Sequence, residues 1–122
     1  MLLSKNKLSE FGSEGYLVQK NLLDNNDIDK LRKIIYLVYK KLNPHDSELE
    51  RLDQPWNQLA FDHVLLQFRK DDPVKFGVLY DTCQQSMPFL NLVMNPKILE
   101  CAASILNDEP ENLSFSGNLL RM

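Results

Sequence analysis

Apolar residues recur at helical spacing through most of this chain; one short run is β-favouring and another alternates apolar with polar residues. Residues 24–42 are the clearest helical stretch. Asp24 is placed to cap the first turn, Asp27 adds negative charge there, and Leu23 and Ile28 occupy the positions of a hydrophobic staple. Ile28, Leu31, Ile35, Val38 and Leu42 then form the apolar stripe, with Lys30, Arg32, Lys33, Lys40 and Lys41 mostly opposite. Residues 58–70 predict a second helix, with Leu59, Val64, Leu65, Phe68 and Phe61 inward and Arg69-Lys70 at its closing turn. Asp72-Pro73 predicts a third start, with Val74, Val78, Leu79 and Cys83 along one side. Residues 86–94 read as a short apolar helix. Asn95-Pro96 opens another that buries Ile98, Leu99, Ala102, Ile105 and Leu106, and residues 107–110 close it.

The strand candidates are residues 16–19, a β-favouring run, and residues 112–122, where apolar and polar positions alternate. Tyr16-Leu17-Val18 follows Gly12 and Gly15, which are expected to break any helix arriving from residues 3–10. Leu113 and Phe115 alternate with Ser114 and Ser116, and Leu119-Leu120 follow beyond Gly117. Two strands alone make a marginal sheet, and an apolar edge at residues 119–122 would invite aggregation. The expectation is therefore a single segment, 1–122, truncated inside its last strand. Between the first two long helices, Pro44 ends helical geometry, and residues 48–57 are a polar connection. Trp56 there reads as an aromatic plug that holds the loop to the core.

The order of these pieces resembles the N-terminal part of the phytanoyl-CoA dioxygenase family, non-haem iron, 2-oxoglutarate-dependent oxygenases. Phe11, Gly15, Tyr16, Val18, Leu22, Leu23, Asp24, Ile28 and Leu31 carry the first part of the likeness. A tyrosine-bearing helix, an apolar stretch, Asn95-Pro96 followed by Ile98-Leu99, and the closing Ile105-Leu106 carry the rest. The resemblance implies an α+β fold: a predominantly helical segment followed by the first strands of a double-stranded β-helix, or jelly roll, with the barrel incomplete. It implies a hydroxylase of a small organic substrate that uses Fe(II) and 2-oxoglutarate. It also implies pocket-lining roles for Asn118 and Met122 toward the cosubstrate, and a substrate contact for Trp56 near the entrance. The family usually has Gln or Met where Asn118 stands, and an Asn beside Gly117 equally suits a bend or bulge.

The iron chemistry needs two histidines and a carboxylate, usually His-x-Asp or His-x-Glu on one strand with a distant His. The chain has two histidines, and neither makes the motif: His45 is followed at the second position by Ser47, and His63 by Leu65. No metal ligand is assigned, and the chain by itself is expected to be inactive. The remaining barrel strands would have to come from elsewhere. The alternative is a free-standing helical interaction module, completed when a partner adds a strand.

Bulk composition narrows the field without deciding it. A formal net charge of −3 gives no footprint for nucleic acid or an anionic membrane. No export signal is visible and no run approaches a membrane span, so a cytoplasmic setting is expected. Cys83 and Cys101 stand outside any Cys-x-x-Cys pair, which suits reduced thiols better than a disulfide. No phosphate-cradling glycine loop and no Gly-x-Ser-x-Gly elbow is present.

Overall fold

Ser4 starts the first helix. Its hydroxyl oxygen accepts from Lys7 N at 3.3 Å, and α1 runs Lys5–Glu14. Gly12 lies inside α1 and does not break it, because one interior glycine costs only about 1 kcal/mol. Gly15 does end it: at φ 77 it adopts the left-handed cap conformation and returns its amide to Phe11 O at 2.8 Å. The computed structural model describes residues 3–117 and Leu120. The other helices are α2 (Asn25–Leu42), α3 (Leu59–Asp71), α4 (Pro73–Gln84), α5 (Met87–Val93) and α6 (Pro96–Leu106). Single 3-10 turns occupy Glu48–Arg51, Pro55–Asn57 and Pro110–Asn112.

The expected fold class requires correction. Of the described residues 70% are helical and none forms a strand, so the α+β, jelly-roll expectation is overturned and the fold they form is all-helical. Residues 16–19 have strand-favouring side chains and residues 113–116 the alternation of a strand, but neither run joins a ladder among the described residues. Alternation describes which side chains could share a face. A strand also needs a neighbouring backbone to take its donors and acceptors, and neither run has one. Tyr16 and Val18 are exposed, and the Lys7 ammonium donates to Val18 O at 2.9 Å.

Local capping chemistry sets the later boundaries as expected. Asp72 accepts from Lys75 N at 3.1 Å and Pro73 takes the first turn of α4. Asn95 accepts from Lys97 N at 2.9 Å ahead of Pro96 in α6. Asn107, at φ 55, ends α6 in the left-handed conformation. The stretch Met87–Leu106 has length and mean hydropathy (1.2) enough to cross a bilayer by composition alone. Met94 and Asn95, ahead of Pro96, divide it into α5 and α6.

Contacts divide the chain into two units. The first comprises Met1–Asp24 and Asn91–Asn118, where α1 contacts α6 and α6 contacts the turn at Pro110–Asn112. Its buried side chains include Leu3, Leu92 and Ala103. The second comprises Asn25–Leu90 and Leu119–Met122 and holds the main core. There α2 packs on α4 and on the Pro55–Asn57 turn, and α3 packs on the same two elements.

That core is aromatic. Tyr36 meets Phe61 edge-on at 5.5 Å between ring centroids, and Phe61 meets Tyr39 at 5.9 Å. Tyr39 meets Phe68 at 5.3 Å, and Phe68 meets Phe76 at 5.9 Å. Ile35, Leu49, Leu79 and Cys83 complete the buried set. Most of the apolar stripes read from the sequence face this core: Ile35, Phe61, Phe68, Leu79 and Cys83 are buried, and Leu31, Val38, Leu42, Val64 and Leu65 pack against them; the departures are at the helix starts and at the tyrosines of α2. In α2, Tyr36 and Tyr39 are buried, while Ile28 is 39% exposed. In α3, Phe61 is buried and Leu59 exposed; in α4, Leu79 and Cys83 are buried and Val74 exposed. In α2 and α3 rings fill much of the space between the helices, whereas α4 buries Leu79 and Cys83.

Replacing Phe61 with Ala is expected to cost about 3–5 kcal/mol of unfolding free energy, and Leu59→Ala less than about 0.5 kcal/mol. Urea unfolding followed by circular dichroism measures both. Equal losses for the two variants would show that the α3 face is assigned wrongly.

Candidate functional site

Trp56 is the one sequence-predicted site residue that falls among the described residues. Asn118 and Met122, expected to line a cosubstrate pocket, lie outside them. Trp56 sits in the Pro55–Asn57 turn, which Gln54 opens at φ 45 and ψ 64. That is a left-handed conformation for a non-glycine residue directly before proline, disfavoured on both counts. Contacts to α2 hold the turn in place. The indole Nε1 donates to Asp29 Oδ1 at 2.9 Å, and the Arg32 Nε donates to the Trp56 carbonyl at 2.7 Å. Arg32 Nη2 reaches Asp62 Oδ1 of α3 at 2.7 Å, so one guanidinium ties the turn to two helices. The Lys33 ammonium stands 5.2 Å from the centre of the Trp56 ring system, and Tyr36 tilts against it at 6.0 Å. The indole is thus half-buried, with its only donor in use.

Asp29 also accepts from Asn57 Nδ2 at 2.5 Å. The hydrogen bonds from Asn57 and Trp56, with lesser help from Lys33 and Arg32, hold its carboxyl below the usual range. Its depressed folded value means that it contributes stability above the ordinary carboxylate pKa. That contribution disappears as pH falls through the folded value.

The far end of the same connection is pinned separately. The Tyr39 hydroxyl donates to the Asp46 carboxylate, and the Lys40 ammonium donates to Asp46 O and pairs with Glu50 at 2.7 Å. Burial first, then the Asp46 carboxylate, pushes the Tyr39 phenol far above its ordinary value, so it stays a donor.

Beside the Trp56 anchor runs an apolar groove of about 410 Å³ between α2 and α3, with Leu31, Ile35, Leu65 and Phe76 in its walls. Arg32, Asp62 and Arg69 form its polar edge, and Leu120 also lines it. In the first unit, a cavity of about 560 Å³ is lined by Glu100, Ser104, Asp108, Glu109 and Glu111. Asp108 is already used there, accepting from Glu109 N at 2.8 Å and Asn112 Nδ2 at 2.7 Å. These bonds hold its carboxyl low and close the end of α6.

The residues present do not fit an iron centre. Among the described residues, no three His, Cys, Asp or Glu side chains gather closely enough to hold a metal ion. His45 lies exposed in the connection after α2, and His63 lies exposed on α3. Sequence reasoning placed Trp56 in a plug but missed Asp29 and Arg32, its partners. Their spacing on α2, three residues apart on one helical face, was the available signal. No family model, no curated protein and no solved structure matches the chain.

Two measurements test this description. Asp29→Asn keeps an acceptor for the indole and removes the charge. The stability advantage of the native protein over this variant should be present at neutral pH and shrink below about pH 4, read from urea midpoints across the acid range. Burial pushes the Cys83 thiol up to about 11, while Cys101 is raised by lesser burial and by Glu100. Iodoacetamide at pH 8 should therefore modify Cys101 first and Cys83 only on unfolding, as peptide mass spectrometry would show.

Proposed function

We propose that this chain is the N-terminal helical portion of an Fe(II)- and 2-oxoglutarate-dependent dioxygenase of the phytanoyl-CoA dioxygenase kind, a hydroxylase of a small organic substrate. The support for this reading is the ordered set of residues behind the likeness, of which Gly15, Asp24, Asn95-Pro96 and Ile105-Leu106 fall at helix ends. Gly15 is the left-handed end of α1, and Asp24 immediately precedes α2. Ile28 and Leu31 line the groove of α2, and Asn95-Pro96 caps and opens a helix that ends in Ile105-Leu106. In this reading the segment is a helical buttress, Trp56 is its contribution near the substrate entrance, and Asn118 and Met122 face the cosubstrate. The iron ligands belong to other polypeptide, since the donor set described above does not fit the metal.

A second reading has one specific observation in its favour. Tyr16 (64% exposed), Val18 (60%) and Phe115 (45%) stand on runs with a strand pattern and no ladder. A helical interaction module that gains a strand from a partner would use such runs.

The 122-residue polypeptide, given Fe(II), ascorbate and 2-oxoglutarate, is expected to release no succinate above a protein-free control. Reading the gene past the Met122 codon should reveal His-x-Asp or His-x-Glu in frame, and the extended product should decarboxylate 2-oxoglutarate. Succinate from the short polypeptide would overturn the assignment of the iron ligands to other polypeptide. A stop codon at that point, with a protein inert toward 2-oxoglutarate, would favour the interaction module.

A further inference from the structure

Gln54 holds a left-handed backbone, φ 45 and ψ 64, directly ahead of Pro55. Among the described residues Asn21 and Asn107 also have positive φ, both 55, but asparagine tolerates that region and neither precedes proline. The Gln54 side chain makes no capping bond, and its amide oxygen meets Asn57 Nδ2 at a long 3.4 Å. The conformation is held from α2 instead. Trp56 Nε1 and Asn57 Nδ2 both donate to Asp29, and Arg32 Nε donates to the Trp56 carbonyl. We propose that residues 54–57 are a strained strap that unlatches from α2 as one unit, turning about Asp53-Gln54 and Gln58, while the rest of the second unit stays folded.

Both ends of the strap suit a hinge. Asp53 and Gln54 are exposed, and Gln58, exposed as well, precedes α3 without a side-chain cap bond. Upstream, Leu49 is buried and Tyr39 and Lys40 hold Asp46, so the motion stops there. Burial of Pro55 and half-burial of Trp56 oppose opening, and the backbone of Gln54 favours it. A lone 3-10 turn does not persist without tertiary contacts, so unlatching also opens its two backbone bonds. These run from Asn57 N to Gln54 O at 2.9 Å and from Gln58 N to Pro55 O at 3.1 Å. The strap covers one face of α2, because Asp29, Arg32, Lys33 and Tyr36 lie at helical spacing and each meets Trp56. Opening therefore presents a carboxylate, a guanidinium edge, an ammonium and an aromatic ring in one row that closure hides. The inference stands independently of the dioxygenase reading, because it concerns only contacts within the second unit.

Native-state hydrogen exchange on the full chain tests the strap. The amides of Asn57 and Gln58 should exchange together and with little dependence on urea, whereas those of Leu52 and Leu79 should wait for larger unfolding. Gln54→Gly, which enters the left-handed region freely, should slow Asn57 and Gln58 by about threefold, and Gln54→Ala should not slow them. Asp29→Ala should speed both by about tenfold, the effect of losing hydrogen bonds to a charged acceptor. It should also raise acrylamide quenching of Trp56, the single tryptophan of the chain. The Gln54 variants give the reading should Asp29→Ala not fold. Exchange of Asn57 and Gln58 with the urea dependence of Leu79 overturns the strap, since the turn would then open only with the whole unit. Unchanged or faster exchange in Gln54→Gly, or equal slowing in Gln54→Ala, overturns the strain. Leu52 opening together with Asn57 overturns the hinge at Asp53-Gln54.

Discussion

The second unit depends on a continuous line of rings. Trp56, Tyr36, Phe61, Tyr39, Phe68 and Phe76 each touch the next at 5.3–6.0 Å, mostly edge to face. Such pairs add about 0.5–1.5 kcal/mol each beyond the area they bury. The line passes from the Pro55–Asn57 turn through α2 and α3 to α4, so it joins four elements without a strand. Leu79 and Cys83, fully buried, belong to the same cluster from α4. Loss of Phe61 would break the line at its middle, where both tyrosines of α2 meet it.

The polar groups of two of those rings, Tyr39 and Trp56, settle the long connection between α2 and α3. Tyr39 binds Asp46 at the start of the connection, and Trp56 binds Asp29 near its end. Leu49 is buried between these two pins in sequence. The connection is therefore tied down although most of it is not helical. Arg32–Asp62 is about a third to two-fifths exposed, so its Coulomb energy is modest. Its value lies in geometry, because the same guanidinium also donates to the Trp56 carbonyl. The disfavoured backbone of Gln54 persists because the turn is over-determined by these contacts.

Outside this core the picture changes character. The runs at residues 16–19 and 113–117 expose Tyr16, Val18 and Phe115 and pair with no strand. In the dioxygenase reading, and equally in the interaction-module reading, those side chains are surface that polypeptide from elsewhere would cover. Leu120 is the opposite case: an apolar residue of the same terminal stretch that has found a seat in the second unit.

Helix identity and the helix ends were written locally in the chain. Ser4, Gly15, Asp72-Pro73, Asn95-Pro96 and Asn107 each act on backbone groups within a few residues, so short-range chemistry suffices to place them. Two things required the assembled tertiary structure. One was the extent of each inward face: Tyr36 and Tyr39 of α2 join the core that Ile35, Phe61, Leu79 and Cys83 were expected to form, while Ile28, Leu59 and Val74 at the helix starts stay exposed, because interlocking rings fill space that periodicity alone does not describe. The other was the fate of the strand candidates, since a strand exists only where a second backbone completes its hydrogen bonds, and no stretch of sequence carries its own partner.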